Sequence, residues 1–176
     1  MQDLLDKLKG QKTIVSLQTG RYELNAPLTF GHQHSYLTLE GCNDGVVIAA
    51  KSGTESKFIR GLIQLERANN ITLRRLRLDL PLARLDFQTL RANLVATNAS
   101  SIGVMSVDCP HLSIEECRFS FPRKMDGGLN GAGIYAIGEH IGLRVERNRF
   151  EHIAPDKAVG TIFMVGVLAM SGIVAT

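Results

Sequence analysis

The sequence contains no tryptophan, and aromatic residues make up only 6% of it, so large ring platforms for stacking a flat ligand are scarce. It contains three cysteines, an odd number that argues against a disulfide framework. It also lacks any dense block of Lys and Arg. The formal net charge of +3 permits an acidic ligand, but the pattern does not indicate nucleic-acid binding.

Signals for secretion or membrane insertion are also missing. The first ten residues, MQDLLDKLKG, carry charges throughout, which is not the pattern of a secretory signal. Residues 158–176 carry no charge, but they contain glycine, threonine and serine and are short for a membrane span. Buried strands joined by small-residue turns explain that run better, so no membrane partner is expected.

A repeat runs through most of the chain. Each copy begins apolar-x-apolar, and the last three copies continue through a bend to a further apolar residue. The head of each copy has the two-residue period of a β-strand. The four copies are Leu37–Cys42, Ile71–Leu76, Leu112–Cys117 and Leu143–Asn148.

A second apolar strand precedes three of these copies, at Ile63–Leu65, Val104–Val107 and Ile134–Ile137. Polar or glycine-containing corners connect the two strands, and such residues suit tight corners. One coil therefore reads strand, corner, strand, bend, strand and variable loop. A single coil cannot bury its inward face, whereas stacked coils can, so the sequence predicts an all-β solenoid.

The start of the chain fits the same architecture. A short helix within residues 1–10, with Leu4, Leu5 and Leu8 expected on one face, would cap the first coil. The segments that follow are Gly20–Leu24 (GRYEL), Pro27–Leu28 and Leu37–Gly41 (LTLEG). Together with the repeats, they resemble the opening of the right-handed parallel β-helix of the pectin-lyase-like superfamily.

This resemblance implies a single β-helix domain over residues 1–176, with the capping helix in residues 1–10 and about five coils in residues 11–176. Solenoid ends need a polar cap, and no such segment follows the last coil. We therefore expect a solenoid truncated at its C-terminal end, the N-terminal part of a longer one. Its last coil would then meet more solenoid, a cap or an end-to-end partner.

The resemblance also implies a carbohydrate-related function, with an acidic or neutral polysaccharide bound or processed along the outer face, and an extracellular or cell-surface location. If the protein is an enzyme, the implied classes are polysaccharide lyase, glycoside hydrolase and epimerase. The Asn-x-Asp, Asp-Asp, Gly-His-Gly and Arg-x-Lys set of polygalacturonases is missing, as is the Arg-x-Pro-x-x-Arg element of pectate lyases. Catalysis therefore stays open. A non-catalytic structural, adhesion or assembly module is the alternative.

Arg77, Arg118 and Arg149 occupy one repeat position and are predicted to form a column of like charges, about 4.8 Å apart. Like charges directly opposite one another are destabilising, so something must offset them. One explanation is nearby acids with solvent screening. The other is an anionic polymer along the column, because arginine forks match carboxylates. These three residues and Arg123 are the candidate substrate-binding residues.

Two further outward columns are predicted to pair charges of opposite sign between neighbouring coils, worth a few tenths of a kcal/mol per pair. They are Arg74, Glu115 and Glu146, and Arg75, Glu116 and Arg147.

Glu66 and Asp108 are candidate catalytic residues. Each follows an apolar residue interpreted as the last inward one of its strand, Leu65 or Val107, so the two carboxylates are predicted one coil apart on the outer face. Such a pair could bind Ca²⁺ or share a proton as acid and base. Solvated surface carboxylates are the alternative. Ca²⁺ is the one cofactor considered, and no metal site is assigned.

Lys124 is the third candidate catalytic residue. It lies in the longest glycine-rich segment, residues 122–131, and loops on rigid scaffolds often carry function. Lys124 could act as a base, and Arg123 could neutralise a substrate carboxylate, if this loop folds over the groove. A flexible surface loop is the alternative.

Overall fold

The computed structural model of the chain describes residues 1–42, 45–84, 99–122, 124–126, 129–152, 157–159 and 162–170. The first coil follows one helix and comprises α1 (Gln2–Lys7), β1 (Thr13–Leu17), β2 (Gly20–Leu24) and β3 (Leu28–Phe30). The second comprises a 3₁₀ turn (His32–His34), β4 (Leu37–Gly41), β5 (Val46–Ala50), a 3₁₀ turn (Glu55–Phe58) and β6 (Ile63–Glu66).

Three further coils follow. The third comprises β7 (Thr72–Arg74), β8 (Arg77–Asp79), β9 (Ala83–Arg84) and β10 (Ala99–Val107). The fourth comprises β11 (Ser113–Glu115), β12 (Arg118–Ser120), β13 (Lys124–Asp126) and β14 (Leu129–Ile137). The fifth comprises β15 (Arg144–Glu146), β16 (Arg149–Glu151), β17 (Lys157–Val159) and β18 (Ile162–Met170).

Each coil contributes one strand to each of three parallel sheets. Sheet A has the order β1-β4-β7-β11-β15, sheet B has the order β2-β5-β8-β12-β16, and sheet C has the order β3-β6-β10-β14-β18. Beside these, β9 pairs antiparallel with β10, and β13 pairs in parallel with β17. The predicted all-β parallel β-helix is confirmed.

Inward side chains of successive coils stack in columns that form one continuous core. In sheet A, for example, Val15, Leu39, Leu73, Ile114 and Val145 share one register position. Between these positions the outward residues are more exposed, as the alternating burial of β4 shows. The two-residue period that predicted the strands is therefore the alternation between core and solvent.

Two phenylalanine rings in sheet B face a column of glycines in sheet C. The rings of Phe119 and Phe150 stack with centroids 5.0 Å apart. Opposite them, Gly103, Gly133 and Gly166 have no side chain to occupy the same space. A Cβ atom on Gly133 would lie 2.4 Å from Cε1 of Phe150 and 2.8 Å from the carbonyl oxygen of Gly166. The glycines therefore make room for the rings.

The bend between sheets A and B uses left-handed backbone at the same position in three successive coils. At the bend between sheets A and B, Arg75, Glu116 and Arg147 each have φ of 54°. The backbone N–H of Arg75 bonds the carbonyl of Glu115 at 3.1 Å, and that of Glu116 bonds Glu146 at 3.0 Å. Because Arg75 and Glu116 each donate to the next coil, the bend keeps its register from the third coil to the fifth.

The capping helix differs from its prediction in one residue. Leu5 is fully buried, and Met1 and Leu8 pack against the core beside it, whereas Leu4 is 48% exposed. Residues 1, 5 and 8 are three or four positions apart and share a helix face, while residue 4 lies about 100° away from residue 5. The predicted three-leucine face is therefore wrong at Leu4.

Coil length varies mainly where the chain passes from sheet B to sheet C. Residues 25–27 make this connection in the first coil, residues 51–62 in the second and residues 80–98 in the third. The bends between sheets A and B are short throughout. The variable segment expected after the third strand of each coil therefore falls, along the chain, between a strand of sheet B and the next strand of sheet C.

Candidate functional site: an arginine-lined groove

The predicted arginine column is present. Arg118 of β12 aligns with Arg77 of β8 on one side and with Arg149 of β16 on the other. Each arginine begins its strand directly after the bend between sheets A and B, so the three guanidinium groups follow the solenoid axis. Their side chains are 38%, 41% and 70% exposed, respectively, which leaves them accessible to a ligand.

The left-handed bend places a second charged column beside the first. Arg75, Glu116 and Arg147 lie two residues before the arginine column, at the bend itself, and line the same cavity as that column. The two columns border a cavity of about 160 Å³, with Leu76 and Cys117 also in its lining. We call this feature the arginine groove, defined by Arg75, Arg77, Arg118, Arg147, Arg149 and Glu116.

Carboxylates only partly neutralise the arginine column. Nε of Arg77 lies 3.0 Å from Oδ1 of Asp79, whose other oxygen lies 2.7 Å from Arg21. Glu151 is likewise shared, because its Oε1 lies 3.0 Å from Nε of Arg149 and 3.6 Å from Nε of Arg118. Arg21 also lies 3.7 Å from Oε1 of Glu23, so three carboxylates serve four guanidinium groups.

In the fourth coil, the register position that holds an acid in the third and fifth coils holds Ser120. It aligns with Asp79 and Glu151, and its hydroxyl donates to Oε2 of Glu151 at 3.1 Å. Each guanidinium carries five N–H donors, and the contacts to Asp79 and Glu151 use only some of them. The column therefore keeps donors for an anionic ligand.

Glu116 is the one carboxylate in the lining of the arginine groove. Its Oε1 lies 2.9 Å from Nη2 of Arg147 in the next coil. This contact confirms the predicted charge pairing between neighbouring coils for Glu116 and Arg147. Because Arg147 is 61% exposed, we expect the pair to add little to stability.

Glu40 holds Arg75 at the end of the arginine groove that the third coil forms. Its carboxylate accepts hydrogen bonds from Arg74, from Arg75 at 3.0 Å and from the hydroxyl of Ser16 at 2.9 Å. The hydrogen bond from Arg74, followed by that from Ser16, holds the pKa of Glu40 below its usual range. Glu40 is only 12% exposed, so it is a largely buried, ionised anchor.

The predicted alignment of Glu66 with Asp108 is wrong. Glu66 aligns with Val107, so Asp108 lies one position beyond it, at the corner after the strand. The prediction assumed that Val107 faces inward. Instead the fully buried Ser106 takes the inward position beside Leu65, and Val107 faces out.

Asp108 has a structural role at its corner. It has φ of 51°, and its Oδ1 accepts the backbone N–H of Glu139 at 3.0 Å. A Cβ atom on the next residue of this corner column, Gly138, would lie 2.1 Å from that same oxygen. The carboxylate is therefore occupied in bridging two coils.

Glu66 lies at the exposed end of β6 and borders a separate cavity beside the capping helix. Lys124 begins β13, where it aligns with Lys157 of β17, and Arg123 lies outside the described residues. The three predicted catalytic residues are therefore not brought together by any strand pairing of the described residues.

Metal ligands are sparse in the described part of the chain. No group of three or more His, Cys, Asp or Glu side chains there could hold an ion.

A serine–histidine contact was not foreseen from the sequence. The hydroxyl of Ser106 lies 2.8 Å from Nε2 of His140, and Nδ1 of His140 lies 3.4 Å from the carbonyl of Gly138. This resembles the contact of a nucleophile with its base, but Ser106 is fully buried and cannot meet a polymer. His140 therefore serves as the hydrogen-bond partner of the buried Ser106 hydroxyl.

The cysteines are unpaired, as expected. Burial raises the pKa of the Cys117 thiol to about 12 and also raises that of Cys109. Neither thiol is therefore an activated nucleophile. Among the described residues, no helix has the length and apolar character needed to cross a membrane.

Comparisons with known proteins yield a structural relative. No protein-family model matches the chain, and no curated protein matches it. A crystal structure described as a putative glycosyl hydrolase from Parabacteroides merdae superposes with a TM-score of 0.56 at 14% sequence identity. The match covers 94% of this chain and 73% of that one. At this identity, the likeness establishes a shared fold.

Proposed function

We propose that this protein binds an acidic polysaccharide along its outer face, with uronate carboxylates held by the arginine groove. The observation that carries the proposal is the incomplete neutralisation of the arginine column, where Arg77, Arg118 and Arg149 share Asp79 and Glu151, and Asp79 also contacts Arg21. A polymer with repeated carboxylates would supply the missing negative charge. Arginine suits this role because its planar fork donates hydrogen bonds to both oxygens of a carboxylate.

The fold and its structural relative support a carbohydrate ligand. The relative from Parabacteroides merdae carries a glycosyl hydrolase description, and the repeats resemble the pectin-lyase-like superfamily. Fold alone does not specify function, so the argument rests on the groove. Processing of the polymer by lyase, hydrolase or epimerase chemistry is part of the proposal only as a second step after binding.

A structural module is the second candidate, because several ion pairs of the groove connect different coils. Arg147 contacts Glu116, Arg118 contacts Glu151, and Arg21 contacts Asp79 across coils. In this alternative the arginines stabilise the stack and bind nothing. The two functions differ in whether arginine variants lose ligand binding or stability.

The test measures retention of the protein on immobilised polygalacturonate and alginate, with dextran as the neutral matrix. Arg77→Ala combined with Arg118→Ala should weaken binding at least about tenfold, because charge-assisted hydrogen bonds contribute about 1.5–3 kcal/mol each. Arg144→Ala is the matched control, since Arg144 is 59% exposed on sheet A and pairs with Glu146 in its own strand.

Unchanged retention of the double variant would refute the proposal. A large loss of unfolding free energy without a change in retention would favour the structural module instead. Unsaturated uronate products and new reducing ends are followed in the same incubations, with and without Ca²⁺. Turnover would add catalysis to binding, and Glu66 and Lys124 would then be the first residues to substitute.

A further inference from the structure

We propose that a second cavity, at the capped end of the solenoid, binds a short neutral saccharide. This cap cavity lies between α1, the 3₁₀ turn His32–His34 and the outer face of β6, and its volume is about 420 Å³. Ligand pockets usually measure about 300–1,000 Å³, so the size suits a small ligand. The residues that carry the argument are Asp6, His34, Arg60, Gln64, Glu66 and Met105.

One wall of the cap cavity is preorganised by Asp6. Its Oδ1 lies 3.2 Å from the side-chain nitrogens of both Gln2 and Lys9 and 3.3 Å from Nε2 of His34. Hydrogen bonds from Lys9 and then Gln2 lower the pKa of Asp6, so it is ionised at neutral pH and offsets the charge of Lys9. This wall therefore presents little net charge.

His34 makes this wall rigid. The ring is only 3% exposed, and its Nδ1 lies 3.0 Å from the backbone N–H of Gly31. A nitrogen that accepts this hydrogen bond carries no proton, so the proton of the neutral ring lies on Nε2 and is directed at Asp6. The histidine therefore positions Asp6.

The floor of the cavity is a register column on the outer face of sheet C. Thr29, Gln64 and Met105 are aligned across β3, β6 and β10. The side chain of Gln2 bonds the backbone of Thr29 in both directions, at 2.9 and 3.1 Å, which fixes the helix against this edge. Gln64 and Met105 thus offer an amide and an apolar surface next to the rigid wall.

Charges of opposite sign line the cavity. Arg60 precedes β6, Glu66 ends it, and both side chains belong to the lining. Among the described residues, neither Arg60 nor Glu66 has an ion-pair or side-chain hydrogen-bond partner. One free cation and one free carboxylate give no net preference for a charged ligand.

A neutral, hydroxyl-rich ligand of two or three sugar rings fits this arrangement. Hydroxyl groups both donate and accept, so they can satisfy Arg60, Gln64 and Glu66 together. Glu66 opposes the carboxylates of a polyuronate and offsets their attraction to Arg60, so a polyuronate gains no net electrostatic advantage in this cavity. Phe30 is only 1% exposed and offers no stacking surface, so we expect millimolar affinity.

This site is independent of the arginine groove, and its test is separate. Cellotriose, mannotriose and maltotriose are titrated into the ¹⁵N-labelled full chain, with trigalacturonate as the charged comparison. At least one neutral trisaccharide should shift the backbone amides of residues 31–34 and 60–66. Gln64→Ala should weaken this binding severalfold, while Arg77→Ala, which alters only the groove, should leave it unchanged.

Glu66→Gln provides a second, nearly isosteric variant. It should admit trigalacturonate to the cap cavity, because the repelling charge is removed while the amide still bonds hydroxyl groups. The proposal is overturned if no neutral trisaccharide shifts these amides, or if trigalacturonate shifts them equally in the unsubstituted protein. Retention on polygalacturonate is measured in parallel, so loss of one site is distinguished from loss of the other.

Discussion

Glu40 stabilises the start of the arginine groove through three hydrogen bonds. Glu40→Gln removes the charge that Arg74 and Arg75 share while keeping the shape of the side chain. We expect the free energy of unfolding to fall by about 1–3 kcal/mol, because partly buried guanidinium groups lose their counter-charge. Urea unfolding followed by circular dichroism measures this loss. Glu23→Gln is the control, since Glu23 is 52% exposed and 3.7 Å from Arg21.

The same residue makes stability depend on pH. The pKa of Glu40 is lower in the folded state than in the unfolded chain, so its stabilisation is complete above the unfolded value. It is lost as pH falls from about 4 through the folded value. The difference between Glu40→Gln and the unsubstituted protein should therefore shrink in acid. A difference that stays constant down to pH 2 would contradict this assignment of the charge.

Residue-level interpretation of the sequence succeeded where alternation was clear and failed where it was ambiguous. The segment from Val104 to Val107 has apolar residues at both ends, yet residues three apart in a strand cannot both face inward. Hydropathy favoured Val107, whereas the fold buries Ser106 and satisfies its hydroxyl with His140. Because that partner comes from the next coil, the sequence of the strand alone could not reveal it.

At the scale of elements, the glycine column of sheet C and the stacked rings of sheet B depend on each other. Gly133→Ala would force a Cβ atom against Phe150 and the backbone of Gly166. We expect a loss of about 1–3 kcal/mol in the free energy of unfolding, as for other overpacked cores. Gly31→Ala is the control, because its Cβ would meet nothing within 4 Å and its φ is −100°.

A compensating change tests whether the ring is the cause. Phe150→Leu should recover part of the loss caused by Gly133→Ala, because the smaller side chain vacates the contested space. Additive losses in the double variant would instead assign the strain to the backbone contact with Gly166. Thermal unfolding is measured for the unsubstituted protein, Gly133→Ala, Phe150→Leu and the double variant, which together form a double-mutant cycle.

The register between strands could be predicted from the repeats, but the bends could not. Aligning the copies at Leu37, Ile71, Leu112 and Leu143 correctly placed Arg77, Arg118 and Arg149 in one column. The left-handed backbone of Arg75, Glu116 and Arg147 left no sequence signal, since glycine or asparagine is the usual residue there. The groove between these two columns therefore became visible only in three dimensions.

At the scale of the whole molecule, the coils tolerate changes of length unequally. Inserting two residues after Gly53, in the connection between β5 and β6, adds to an exposed turn outside the columns. We expect the melting temperature to fall by only a few degrees, roughly the effect of 1 kcal/mol. One residue inserted between Glu116 and Cys117 would turn Phe119 outward and Arg118 inward, and should abolish cooperative unfolding. Equal tolerance of both insertions would contradict the register argument.

The column of Arg77, Arg118 and Arg149 places positive charges on the surface at a regular spacing. The backbone sets its interval at about 4.8 Å, since each arginine is held at the same point of successive coils. A polymer whose anionic groups are spaced at a multiple of that interval could contact all three arginines at once. A polymer of equal charge but different spacing could align an anionic group with only one of them. If the arginine groove binds as proposed, we therefore expect it to discriminate between polymers by the spacing of their charges as well as by their number.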